Sequence, residues 1–184
     1  MSIDTPNFKQ AMRQCAGAVA LVTVGAEPGR RTGLTVTSAC SLSDTPPSLI
    51  VCVNRNASAH ARIREEGAFA VNFLNEEHAL LALTFSGQKG LNGDDRFAFG
   101  QWTSGATGAP VLIDAVAAFD CVLAQEFETS THSVFVGEVR SVSHSGEVTP
   151  LVYLRGNFHT PREIRDSVSL GDLDARHLSW TDFS

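Results

Sequence analysis

The residues of this 184-residue chain best placed to do chemistry lie between Thr35 and Ser43. Thr35, Thr37, Ser38, Ser41 and Ser43 set short hydroxyls along one stretch that turns at Pro46-Pro47. Thr suits strands and Ser suits turns, so one reading is an edge strand with a Ser/Thr-rich turn. The sharper reading is a polar ribbon along a planar heterocycle, whose ring atoms need donors and acceptors that hydroxyls and backbone groups supply. On composition alone the first is favoured, because such turns are common.

Three further places carry candidate chemistry. Asn54-Arg55-Asn56-Ala57-Ser58 follows an apolar run and opens a helical pattern. A helix N-terminus offers free N–H groups and partial positive charge, so Ser58 is either an anion ligand or an ordinary N-cap. Arg96 stands in a glycine-rich segment, as a solvated loop arginine or a charge-assisted anion donor. His132 ends a Thr-Ser-Thr turn and begins a strand, so it projects at an element mouth or is a surface turn histidine. Asp94-Asp95 is a carboxylate pair of the kind usually just solvated. The four cysteines, Cys15, Cys40, Cys52 and Cys121, are widely spaced, and Cys52 and Cys121 lie inside apolar runs as small hydrophobes would. The histidines form no ligand-spaced pair, so no metal site is expected. Phosphate-loop, zinc-protease and serine-hydrolase motifs do not occur in the sequence.

These residues need elements to position them. Asp4-Thr5-Pro6 caps a short helix over Asn7 to Ala16, with Phe8, Ala11, Met12 and Cys15 on one face. Strands are predicted at Ala18 to Val24, Gly33 to Ser38, Ser48 to Asn54, Ala68 to Leu74, Val116 to Glu128, Ser133 to Ser143 and Leu151 to Phe158. Helical spacing covers the stretch through Arg62 and Glu66, closed by Gly67, and recurs over Glu76 to Phe85. Ser86 to Gly105 shows no period and reads as a long functional loop. Many strands at short intervals with no βαβ rhythm predict a mainly β, antiparallel barrel with a few peripheral helices. The length suits one domain, taken as residues 1–161, with 162–184 as a C-terminal extension.

Composition narrows the partners. A net charge of −6 argues against nucleic acid, which needs a concentrated basic surface. No apolar run approaches the ~18 residues that span a bilayer, so no membrane association is expected. The first residues, MSIDTPNFKQ, lack a basic and an apolar signal region, and the cytoplasm is the expected location.

The whole pattern resembles the short-chain flavin reductase family with its FMN-binding split β-barrel, a Greek-key antiparallel barrel. That family includes the reductase components of two-component flavin-dependent monooxygenases. The resemblance rests on Gly33, Thr35-Val36-Thr37-Ser38, Ser41-Leu42-Ser43 and Pro46-Pro47, and on Phe69 to Leu74. It continues through Phe85-Ser86-Gly87 with Asp95-Arg96-Phe97, Gly108 to Leu112 with Asp120-Cys121, Thr131 to Val139, and Pro150 to Phe158. Ser130 departs from it, standing where many members have a glycine.

The resemblance implies FMN or FAD as the flavin and NADH or NADPH as hydride donor. Thr35, Thr37, Ser38 and Ala39 would line the ring, Ser41 its polar edge. Asn54, Ser58, Phe85 and Arg96 would complete the cofactor site, with Ser58 and Arg96 toward phosphate. His132 would position the nicotinamide, since hydride transfer needs stacked rings with reacting atoms ~3–3.5 Å apart more than it needs a proton shuttle. An oxygenase component and a homodimer are the implied partners, with the 162–184 tail free to cross to the second copy. A non-catalytic flavin-binding barrel, or a reductase of the same fold acting on a corrinoid, are the alternatives.

Overall fold

The computed structural model describes residues 4–163. In chain order the elements are α1 (Thr5–Met12), β1 (Gly17–Ala18), β2 (Ala20–Val24), β3 (Thr32–Val36), β4 (Ala39–Asp44), β5 (Pro47–Asn54) and α2 (Ser58–Glu66). Then come β6 (Ala68–Phe73), α3 (Ala79–Phe85), β7 (Trp102–Ser104), β8 (Pro110–Leu112), β9 (Ala117–Glu128), β10 (His132–His144), β11 (Val152–Leu154) and β12 (Asn157–His159). Short 3₁₀ turns occupy Glu76–His78 and Gly93–Ala98.

Seven strands form one antiparallel sheet in the order β3-β2-β6-β9-β10-β5-β4. Its two outermost strands, β3 and β4, are separated in the chain by Thr37 and Ser38 alone. A flat sheet would hold them about 29 Å apart across six strand spacings, whereas a two-residue link reaches about 11 Å. The sheet therefore rolls until its edges meet. At that link Ser38 extends the β4–β5 pairing by one residue, its carbonyl accepting from the Cys52 N–H at 3.3 Å and its hydroxyl donating to the Cys52 carbonyl at 3.0 Å. The result is a mainly β antiparallel barrel, split between β3 and β4, which share no ladder among the described residues.

Two apolar clusters follow from the strand pattern. Val22, Val24, Val51, Val53, Phe69, Val71 and Phe135 fill the barrel, with Ala59 and Ile63 of α2 plugging one end. Outside it, Leu21, Leu74, Leu81, Phe85, Phe97 and Leu112 pack α3, β8 and the 3₁₀ turn at Gly93–Ala98 against β2 and β6. Strand β2 serves both clusters, which is why ALVTV is buried at every position. Gly33 permits that second layer: a Cβ there would lie 2.6 Å from the Val22 carbonyl oxygen and 2.9 Å from Phe85.

Four local expectations change. The N-terminal helix is capped by Asp4, which accepts from the Asn7 N–H at 3.0 Å, but its apolar stripe is solvent-exposed and buries nothing. Leu151 to Phe158 is not one strand: Arg155-Gly156 turns it into the β11–β12 hairpin, because both residues take positive φ. The segment 86–105 is partly structured, holding a 3₁₀ turn and β7, because Phe97 is drawn into a ring cluster with Phe85 and Trp102. Ser58 is the first helical residue of α2 rather than its cap; Ala57 holds the cap position without a side-chain bond. The 162–184 extension, beyond Arg162 and Glu163, lies outside the described residues.

Candidate functional site

A cleft of about 380 Å³ opens where the seam meets α3. Its floor is Val19, Thr35, Val36 and Thr37, one side is Ala82, Leu83, Ser86 and Gln88, and the other is Tyr153, Gly156, Asn157 and Phe158 of the β11–β12 hairpin. The volume falls within the range of small-molecule sites. No lining group carries a charge; the polar contribution comes from hydroxyls and amides, and Tyr153 and Phe158 pack edge to face as an aromatic wall. Such a lining suits a flat, amphipathic heterocycle.

The hydroxyl ribbon divides. Thr35 and Thr37 lie in this cleft, Thr35 also fastening β3 to α3 by donating to the Ala82 carbonyl at 2.6 Å. Ser38 is bonded to Cys52 of β5, and Ala39 begins β4, half buried. Ser41 lies elsewhere, in a second cleft of about 330 Å³ with Leu49, Phe73, Phe119 and Val139. The register that places Ser38 opposite Cys52 fixes this, since each further residue along the exposed edge strand β4 moves away from the seam.

Asn54 and His132 meet across the β5–β10 ladder as register partners. They stand on the outer face, since Val53 and Ser133 beside them point inward and are buried. By strand spacing His132 lies about 12 Å from Ser38, two strands across and two residues along. The Asn54 side chain accepts from the Asn56 N–H at 2.9 Å, ordering the entry to α2. Thr131 meets the His132 ring at Nδ1, 2.9 Å away. Ser58 bonds Thr32 through the two hydroxyls at 2.8 Å, tying α2 to β3.

Phe85 and Arg96 are not brought into the cleft. Phe85 is 1% exposed and faces the outer cluster, stacked edge to face on Phe97. Arg96 is buried, donating to the carbonyls of Gly33 at 2.7 Å, Leu91 at 2.9 Å and Phe85 at 3.4 Å. Desolvation lowers its affinity for its proton. Its Nε and Nη1 groups thus brace β3, the α3 exit and the loop between. A half-buried ion pair nearby belongs to Arg31, which binds Asp94 through two nitrogens. The Arg31 guanidinium holds the Asp94 carboxyl below the usual carboxylate range. Among the described residues no cluster of side chains could hold a metal.

Ser86, Gln88, Tyr153, Asn157 and Phe158 were not singled out from the sequence. All but Gln88 lie in segments that carry the family resemblance, Phe85-Ser86-Gly87 and Pro150 to Phe158, and that was the signal that could have found them.

A rolled antiparallel barrel with an uncharged, aromatic-walled cleft on its seam defines a class of protein that holds a flat heterocycle with hydroxyls and backbone. Residues 12–162 match the model of the flavin reductase like domain, and the chain belongs to that family. It is 39% identical over 166 residues to an FMN reductase (NADH), RutF 1, of Methylorubrum extorquens (strain PA1), covering 90% of this chain and 81% of that protein. Among solved structures it is similar to BorF, the flavin reductase component of a bacterial two-component tryptophan halogenase. There the TM-score is 0.79 at 30% identity, covering 88% of this chain and all of the other. It also resembles the NADH:FAD oxidoreductase SgcE6 of Streptomyces globisporus C-1027, solved with NAD and FAD fragments. That match has a TM-score of 0.77 at 26% identity, covering 91% of this chain and 100% of the other. No helix among the described residues is long and apolar enough to cross a membrane.

Proposed function

We propose that this protein is an NADH-dependent FMN reductase that passes hydride from the nicotinamide to the flavin and hands reduced flavin to an oxygenase component. The observation that carries the reading is the seam cleft, whose size and uncharged hydroxyl, amide and aromatic lining fit an isoalloxazine ring. The flavin, when bound, supplies the hydride-accepting centre. Thr37, Ser86, Gln88 and Asn157 offer hydrogen bonds to a polar ring edge, while Tyr153 and Phe158 shield a ring face from water. Sparse charged contacts suit a site that must release its product. His132, fixed beside Asn54, orients the nicotinamide nucleotide from the neighbouring strands. A homodimer in the cytoplasm, residues 1–161 as the reductase domain, and Ser38, Ala39, Asn54 and Ser58 near the flavin all belong to the same reading.

The test is NADH oxidation, followed at 340 nm, by the full chain with and without FMN. FMN-dependent oxidation is expected. Activity with FAD alone would change the flavin, activity with NADPH alone the donor, and activity only with a corrinoid the acceptor. Flavin binding without any oxidation would refute the proposal in favour of a non-catalytic barrel.

A further inference from the structure

The hairpin tip that carries His132 is held by a chain of polar and charged side chains running from inside the barrel plug to the surface. His60, in the first turn of α2, is buried and packs tilted against Phe135 with ring centroids 5.2 Å apart. Its Nε2 lies 2.8 Å from the hydroxyl of wholly buried Ser133 and 3.5 Å from Glu126 Oε1. Arg64, one turn further along α2, meets Glu126 Oε2 at 3.1 Å and Glu128 at 3.4 Å. Arg55 completes the chain, 3.6 Å from the other Glu128 oxygen, and donates to the Thr129 carbonyl at 3.2 Å. The Arg55 N–H also bonds the Thr131 carbonyl at 3.0 Å.

The chain therefore grips the Thr129–His132 turn at both ends, at Ser133 on the inner face and at Thr129 and Thr131 on the outer. Pinning Ser133 inward obliges its neighbour His132 to project outward, since successive strand residues point to opposite faces. The same contacts bind the segment 54–60, through Arg55 and His60, to the strand that carries His132. Packing alone did not require this. Ala59 and Ile63 plug the same barrel end with apolar side chains, and apolar groups do so without desolvating ions. Glu126 Oε1 is buried with no hydrogen-bond partner, an arrangement that native structures rarely keep.

We propose that His60, Arg64, Glu126 and Glu128 are positioning residues that hold His132 in place for the nicotinamide nucleotide. The inference rests on the reading of His132 given above. Arg64→Met and Glu128→Gln change half-exposed side chains, and exposed pairs contribute little to stability, so both variants should fold. Each is expected to raise the KM for NADH about three- to tenfold, the scale of coupling within one network. The Kd for oxidised FMN should stay within error of the parent; the Tm should do so for Glu128→Gln and fall for Arg64→Met, which leaves the buried Glu126 carboxylate without its arginine. Arg62→Met, which removes a guanidinium paired with Glu65 and Glu66 of the same helix, serves as control and should leave the KM unchanged.

The deciding arm repeats Arg64→Met and Glu128→Gln in a His132→Ala background. If they act through His132, the further rise in KM disappears. A full additional rise on top of that caused by His132→Ala would overturn the positioning role and leave His132 as the nicotinamide contact. A His132→Ala variant with unchanged KM would remove the reading of His132 itself. Equal loss of FMN affinity in the Arg64 and Glu128 variants would mean general loosening and would also overturn the proposal.

Discussion

Arg96→Met distinguishes a structural brace from a ligand-binding cation. Hydrogen bonds from a charged donor contribute about 1.5–3 kcal/mol each. Arg96 makes two short ones, to Gly33 and Leu91, and a longer one to Phe85. Methionine keeps part of the apolar stem but leaves those carbonyls facing a side chain without donors. The expected loss is about 3–4 kcal/mol, which for a chain of this length lowers the Tm by roughly 10 °C. Arg96→Lys keeps the charge but cannot fan out to three acceptors, so it should recover only part of that loss, about 1 kcal/mol or so. Urea unfolding followed by Trp fluorescence reads the effect as a lower midpoint at unchanged slope. FMN affinity of the folded fraction, measured by quenching of flavin fluorescence, should change little. The reasoning is refuted if Arg96→Met unfolds at the parent midpoint while losing FMN, because the guanidinium would then serve the ligand and not the fold.

Other outcomes test other parts of the structure. Phe158→Ala removes half of the aromatic wall, and aromatic pairs are worth about 0.5–1.5 kcal/mol beyond their area, so the FMN Kd should rise about three- to tenfold. Unchanged affinity would place the flavin elsewhere. The Asp94 carboxyl is depressed in the folded chain, so Asp94 stabilises above its unfolded pKa of about 3.9 and loses that contribution as pH falls through the lower folded value. The stability gap between the parent and Asp94→Asn should therefore be constant near neutrality and shrink below about pH 4; a gap independent of pH would contradict the pairing with Arg31. Burial pushes the Cys121 thiol up to about 12, with Asp120 adding to it, and burial also raises Cys52. A thiol reagent at pH 8 should label exposed Cys15 and Cys40 quickly and Cys121 only on unfolding. Early labelling of Cys121 would show that the barrel opens.

Much of the molecule was readable from one-dimensional pattern. The strands at β2, β5, β6, β9 and β10, the helix closed by Gly67 and the antiparallel barrel all follow from alternation, apolar runs and turn residues, which act between near neighbours. Thr35 and Thr37 stood out for the same reason, since a hydroxyl-rich strand before a double proline is a local pattern, and both line the seam cleft. The family pattern supplied the flavin. Spacing alone could not show that two residues, Thr37 and Ser38, join opposite edges of a seven-stranded sheet, because closure depends on the sum of all the strand pairings. That closure decides which hydroxyls share a cleft: it keeps Thr35 and Thr37 beside Tyr153 and Phe158 and sends Ser41 to another. It also decides the fate of Arg96 and Phe85, which look like loop and ligand residues in sequence. Packing the outer layer on β2 buries both, because three free carbonyls and an apolar pocket there need partners more than the solvent does.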